Sequence, residues 1–341
     1  VMVFIPCCQW GGCPARLLNT ECVPMTGETP APLDFMLDAT MPIPAIPLPM
    51  AYTAPRPDLD TRFVPETRFV DRLGVALDKV DAPVCVGLDP VLERLPEIVR
   101  SAHWEPARAI EAFCTGVIDA VADTVGVVKP QSACFERYGT AGVHALERTI
   151  EQAKSAGLMV VLDAKRGDIG VSAAHYAAAI THLGADAVTV NAYLGMETIE
   201  PYLDAGLGVF VLVRTSNPGS DAVQAQPLAD GRTVAEMMAD QVRECGQKNL
   251  GESGLSDVGA VVGATKASEG TMLRERMPEQ VFLVPGYGAQ GGKADDIRKL
   301  IRPGATSASS SGVLVNASRS VLYPKTSKEH PCDCSSDWQE P

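Results

Sequence analysis

Between about residue 66 and residue 325 the chain alternates short, mainly apolar runs with longer stretches whose apolar residues recur at helical spacing. The short runs are "VCVGLD", "VGVVK", "LMVVLD", "AVTV", "GVFVLV", "VGAVVG", "VFLVP" and "VLVNAS". Runs of this kind predict strands buried on both faces. Helices are predicted between them, in segments such as "EAFCTGVIDAVADT", "GVHALERTIEQAKSAG" and "TVAEMMADQVRECGQ". Strands that alternate with helices pair in parallel through right-handed crossovers. Eight of them over about 240 residues fit an α/β fold of the (β/α)8 TIM barrel type. A doubly wound open sheet is the competing arrangement.

The two ends break the pattern. Residues 1–65 hold twelve of the 26 prolines, with little charge and no sustained period. Proline removes backbone donors and blocks both regular structures, so this extension is expected to be irregular or disordered. The final stretch, "KTSKEHPCDCSSDWQEP", is polar and turn-rich, and residues 326–341 are expected to form a tail. Residues 66–325 are left as a single catalytic-sized domain.

Composition narrows the classes of partner. The formal charge is -13, with no cluster of Lys and Arg, so neither nucleic acid nor an anionic membrane surface is expected as a partner. No apolar run reaches the roughly 20 residues of a membrane span, and the start "VMVFIPCCQW" lacks the basic flank of a secretory signal. Cytoplasmic placement is the default expectation. Of the ten cysteines, Cys7, Cys8, Cys13, Cys22, Cys332 and Cys334 lie in the terminal segments. Cys85, Cys114, Cys134 and Cys245 sit in apolar or helical settings that suit reduced core thiols. Cys and His nowhere take zinc-ligand spacing, so no metal is expected.

A barrel carries its chemistry at the C-terminal ends of its strands. The polar residues of this chain concentrate there: Asp89 after the first run, Lys129 after the second, Asp163 and Lys165 after the third, Asn191 after the fourth, Arg214 and Ser216 after the fifth. Side chains two apart on a strand share a face, so Asp163 and Lys165 are expected to point together into the mouth, within reach of Lys129. A structural ion pair is the plainer explanation, but several charges buried at a barrel mouth are costly unless they have a use. Asp168 lies three residues further, before the helix "SAAHYAAAITHL". It suits a helix N-cap and a functional carboxylate about equally well, either folding back toward Lys165 or projecting across a subunit interface.

The seventh strand runs into the glycine-rich "PGYGAQGG", whose backbone amides can face a phosphate and to which Gln290 adds a neutral donor. Arg319, after the eighth strand, lies in the second loop where barrels bind phosphate, and its guanidinium suits bidentate recognition. The plainer readings are an ordinary loop and a surface arginine. His103, His144, His175, His182 and His330 fall away from the strand ends, which disfavours a Ser/His/Asp hydrolase.

Taken together, these residues make the chain resemble the orotidine 5'-phosphate decarboxylase family, in its longer bacterial subgroup, over roughly residues 66–325. The most specific element is Asp163-x-Lys165-x-x-Asp168, a signature shared with sister enzymes of the same superfamily. "VGLDP", "VVKPQSACFERYG", "RTSNPG" and "PGYGAQGG" follow in the family's order. The resemblance implies decarboxylation of orotidine 5'-monophosphate to uridine 5'-monophosphate and carbon dioxide, the last step of de novo UMP biosynthesis, without metal or organic cofactor. It also implies a homodimer. Lys129, Asp163, Lys165 and Asp168 would form a charged tetrad, with Lys165 the proton donor and Asp168 serving the neighbouring subunit's site. Asp89 would bond the ribose hydroxyls together with Lys129 and, from the partner subunit, a residue at the position of Ser172. Ser216 would contact the pyrimidine, and Gln290 and Arg319 the phosphate. Ser318 departs from the pattern, standing where many relatives have glycine.

Two alternatives stay open on the sequence. One is a sister barrel that uses a divalent metal, such as 3-keto-L-gulonate 6-phosphate decarboxylase or hexulose phosphate synthase; Lys129 and Gln290 favour the metal-free enzyme. The other is a non-catalytic nucleotide-binding relative, against which the complete tetrad argues.

Overall fold

The computed structural model describes residues 67–287 and 292–323. The extension of residues 1–65, the tail of residues 326–341 and Gln290 lie outside the described residues.

Eight parallel strands form a closed barrel in chain order: β1 (Val84–Leu88), β2 (Val127–Pro130), β3 (Met159–Arg166), β4 (Ala187–Val190), β5 (Gly208–Arg214), β6 (Ser256–Val262), β7 (Gln280–Val284) and β8 (Val313–Ala317). Closure comes from β1 lying beside β8, with Val84 opposite Val315 and Val86 opposite Ala317. That pairing removes the free edge an open doubly wound sheet would have. Each of the eight apolar runs read from the sequence is a strand.

The helices are α1 (Phe69–Val80), α2 (Glu97–Ala102), α3 (Pro106–Val121), α4 (Ser132–Glu136), α5 (Gly139–Ser155), α6 (Gly170–His182), α7 (Glu200–Asp204), α8 (Asp221–Gln224), α9 (Val234–Gly246), α10 (Ala267–Arg276), α11 (Ala294–Arg298) and α12 (Arg319–Leu322). Period-two alternation divides the core into two layers. Outward residues such as Val86, Val128, Val160, Val188, Val211 and Val262 pack under the helices. Inward ones such as Cys85, Val127, Val161, Ala187, Phe210 and Leu314 fill the barrel.

One end of the barrel is closed by α1. Its buried Phe69, Val70, Leu73 and Leu77 join the inner cluster, and Phe69 meets Phe210 edge to face, with ring centroids 6.0 Å apart. Gly208 makes that approach possible, since a Cβ there would overlap the Phe69 ring. The helix is pinned at the strand starts: Asp257 accepts the Val70 amide at 2.9 Å, Arg68 pairs with Asp257 at 3.1 Å and Arg72 pairs with Asp186 at 3.3 Å.

A buried arginine ties the same end together. Arg274 donates to the carbonyls of Leu300, Met277, Gln280 and Gly312 at 2.7–2.9 Å, and its guanidinium lies 3.6 Å from the centre of the Phe282 ring. One side chain thereby joins α10, β7 and the approach to β8. Arg274→Met is expected to leave these carbonyls without their donor and to lower stability by about 3 kcal/mol, read as a shift in the urea midpoint.

Candidate active site

With its N-terminal end closed by α1, the barrel opens at the C-terminal ends of the strands into a cavity of about 680 Å³. That volume suits a bound small molecule. Asp89, Lys129, Asp163, Lys165, Asn191, Ser216 and Arg319 all line it, each from a different strand end apart from the β3 pair.

Asp163 is the centre of the arrangement. Its Oδ2 accepts from Lys129 Nζ at 2.8 Å, and its Oδ1 accepts from Lys165 Nζ at 2.5 Å and from Thr189 Oγ1 at 2.9 Å. Three adjacent strands, β2, β3 and β4, thus meet on one carboxylate. Burial pushes this carboxyl up, but the ammonium groups of Lys129 and Lys165 outweigh burial and hold it well below the usual carboxylate range. Burial likewise pushes the Lys129 ammonium down, and the Asp163 and Asp89 carboxylates more than reverse it. The two lysines differ in setting: the Lys129 side chain is 4% exposed and that of Lys165 47%.

The Asp163–Lys165 pair shares the cavity, although not by strand period alone. Leu162 lies opposite Val188 and Arg166 opposite Val190, so β3 carries two residues more than β4 across this interval. Lys165 sits within that bulge with a left-handed backbone, φ 46°. Bulges of this kind re-aim side chains beside active sites.

Asp89 closes the opposite side of the row. Its Oδ1 is buried and accepts no hydrogen bond among the described residues, and the residue lines the cavity. At the end of β8, Asn316 Nδ2 donates to Ser318 Oγ at 3.0 Å, and the Cys85 thiol lies 3.4 Å from Asn316 Oδ1. Burial pushes that thiol up to about 12, so it is protonated and serves as the donor. Ser318 fits because β1 has glycine at position 87, where a Cβ would fall 2.0 Å from Ser318 Oγ. The serine therefore has a matching glycine on the neighbouring strand.

Other residues singled out in the sequence lie elsewhere. Arg214 does not face the cavity: β5 has an extra residue between Leu212 and Arg214, and the guanidinium turns to Glu269, Asp221 and Ser220. There it ties the loop after β5 to the helix after β6. Asp168 is not the N-cap of α6. The helix begins at Gly170 with Ile169 in the cap position, and Asp168 Oδ1 accepts the Ile169 amide at 2.8 Å. Neither Asp168 nor Ser172, which is exposed in the first turn of α6, lines this chain's own cavity. None of the described histidines lines it either.

Beside Asp168 the surface is apolar. Ile169 and Val171 are more than half exposed, as are Tyr193 and Leu194 after β4. The Asn191 amide donates to the Arg166 carbonyl at 2.7 Å and holds the two segments together. Of the glycine-rich loop, Pro285, Gly286 and Tyr287 reach the cavity, and Tyr287 pairs with Gly292. Thr189, Gln131 and Asn316 also line the cavity, and sequence reading missed them. For Asn316 the available signal was a lone amide inside the apolar run "VLVNAS".

Lys129→Met is expected to test the charge balance. Because the folded Asp163 carboxyl lies below its unfolded value, its stabilising contribution is full above the unfolded carboxyl range, roughly pH 4, and fades as pH falls from there toward the folded value. The variant is therefore expected to lose about 3 kcal/mol at pH 7 and less in acid, measured by denaturant unfolding across pH.

Comparison with known proteins finds relatives over most of the chain. A family model described as "Orotidine 5'-phosphate decarboxylase / HUMPS family" matches residues 82–330. A curated protein of Rhodopirellula baltica named orotidine 5'-phosphate decarboxylase is 40% identical over 290 residues, spanning 80% of this chain and 94% of its own. A second of the same name, from Roseiflexus castenholzii, is 40% identical over 257 residues, spanning 75% of this chain and 89% of its own. Among solved structures, Leishmania donovani OMP decarboxylase superposes with a TM-score of 0.61 at 32% identity, covering 75% of this chain and 91% of that one.

Proposed function

We infer that this chain, which belongs to the orotidine 5'-phosphate decarboxylase / HUMPS family, removes carbon dioxide from orotidine 5'-monophosphate to give uridine 5'-monophosphate, the last step of de novo UMP biosynthesis. The observation that carries the reading is the row Lys129, Asp163, Lys165 at the barrel mouth, with its hydrogen bonds at 2.5–2.8 Å.

In this reaction the bond from C6 of the pyrimidine to its carboxylate breaks, carbon dioxide leaves, and the electron pair stays on C6. The ammonium of Lys165 faces that developing charge and then gives its proton to C6, forming the C–H bond of the product; solvent reprotonates the lysine. Asp163 lies beside the substrate carboxylate, and their repulsion is relieved when carbon dioxide departs. No step calls for a metal or an organic cofactor. Asp89, with its free acceptor, and Lys129 hold the ribose hydroxyls, Ser216 meets the ring, and Gln290 and Arg319 take the phosphate. Binding the phosphate, remote from C6, aligns the ring and is expressed in the transition state.

The active form is a homodimer, placed in the cytoplasm, in which Asp168 and Ser172 complete the site of the second copy. Support comes from their position outside their own cavity and from the exposed Ile169, Val171, Tyr193 and Leu194 beside them. Among the described residues no helix is long and apolar enough to cross a membrane.

The wild-type protein is expected to consume orotidine 5'-monophosphate, followed by loss of its absorbance, and to do so at the same rate with a chelator present. Lys165→Ala is expected to be at least about 100-fold slower. A wild type inactive on this substrate rules out the function, and an active Lys165→Ala rules out the donor. Mixing Lys165→Ala with Asp168→Ala is expected to restore about a quarter of wild-type activity, since half the dimers then hold one intact site. A mixture no more active than its components places Asp168 outside the neighbouring site.

A further inference from the structure

Lys165 holds a backbone conformation that L-residues with a Cβ rarely adopt, φ 46°, in the middle of a bulge where β3 outruns its partner strand. Something must over-determine it. The ordinary ladder does not: between Leu162–Val188 and Arg166–Val190 the only residue of β4 is Thr189. The amide of Ala164 donates to Thr189 Oγ1 at 3.1 Å, and the amide of Lys165 donates to the same oxygen at 3.0 Å. The hydroxyl therefore receives both N–H groups that the bulge takes out of the ladder.

A threonine hydroxyl has two lone pairs and one proton. With both lone pairs occupied, its proton has one direction left, and it goes to Asp163 Oδ1 at 2.9 Å. Oδ1 is also the atom that accepts from Lys165 Nζ. One oxygen atom thus fixes the backbone of Lys165 and, through Asp163, the position of its ammonium. Thr189 is 1% exposed and reaches this point because Ala187, two residues earlier on the same face, belongs to the barrel interior.

We propose that Thr189 is the positioning residue for Lys165, holding the left-handed turn that aims its ammonium into the cavity. This inference rests on the function above for its kinetic consequence but not for its geometry. A valine at position 189 keeps the shape and β-branching of threonine while leaving two amides and one carboxylate lone pair without their partner. A serine keeps the hydroxyl. A residue that only fills space would tolerate the first exchange better than the second, and a positioning hydroxyl requires the reverse.

The test compares Thr189→Val and Thr189→Ser with wild type by steady-state turnover of orotidine 5'-monophosphate, by calorimetric binding of uridine 5'-monophosphate, and by amide hydrogen exchange of the peptide spanning residues 158–168. Thr189→Val is expected to lower kcat by about 100-fold, the scale of a catalytic group displaced by about 1 Å, with product affinity within about threefold of wild type. Exchange in the 158–168 peptide is expected to quicken in that variant alone, and Thr189→Ser is expected to restore both rate and protection. Wild-type kcat in Thr189→Val overturns the proposal. So does a parallel loss of product binding and turnover that serine fails to repair, which marks a role in holding the mouth together. If wild type itself does not turn over the nucleotide, the function falls and the exchange result alone decides the positioning: unchanged exchange in Thr189→Val overturns it.

Discussion

Everything at the mouth of this barrel is arranged around one carboxylate that must stay charged while nearly buried. An isolated ion in the position of Asp163 would protonate or force the structure apart. Lys129, Lys165 and Thr189 meet it from the two neighbouring strands and from its own. The requirement reaches into topology, because those donors converge only if β2, β3 and β4 are adjacent and parallel with their ends on one side. Right-handed β/α/β units supply that order, and closure between β1 and β8 brings Asp89 and Ser318 round to the same opening.

Charge is used differently at the two ends. At the N-terminal end, Asp186 and Asp257 hold α1 in place, while Arg274 gathers carbonyls with no carboxylate among its partners. These groups are satisfied by neighbours fixed in the fold and leave nothing for a ligand. At the C-terminal end, the unpartnered Asp89 Oδ1 and the half-exposed Lys165 are incomplete without one. Arg214 shows that position along a strand is not enough to assign a charge to the second group. It lies at the functional end yet is held by Glu269 and Asp221, because a single extra residue in β5 turns it away.

That contrast also measures what the sequence discloses. Strands buried on both faces are legible because most of their positions must be apolar, and all eight can be read in this way. Strand-end residues are legible for the same reason in reverse, as with Asp89, Lys129 and Asp163. Bulges are not legible, since period two carries no mark of where a strand gains a residue; for that cause the pattern misplaces Arg214 and gives no sign of the left-handed Lys165. Thr189 is invisible for a different reason. Threonine is a good strand former, so its presence in "AVTV" needs no function until a partner strand is known to lack its ladder. Asp168 is open to a capping role on the sequence because the apolar pattern does not fix the helix start to a single residue; α6 begins at Gly170, which puts Ile169 in the cap position.

The two lysines carry the same charge and bind the same carboxylate, and their surroundings separate their work. In the proposed reaction Lys165 gives up a proton in every turnover and must recover one from solvent, which a side chain as enclosed as Lys129 would do slowly. Lys165 is exposed enough to be reprotonated, but exposure alone would leave a long, flexible side chain free to wander. The bulge and the threonine resolve this conflict by fixing the backbone beneath the lysine while leaving its tip in contact with water. The role of Lys129 is complementary. Held at 2.8 Å on the other oxygen, it favours an ionised Asp163, and in the proposed reaction it would do so while Lys165 turns from the carboxylate to the substrate.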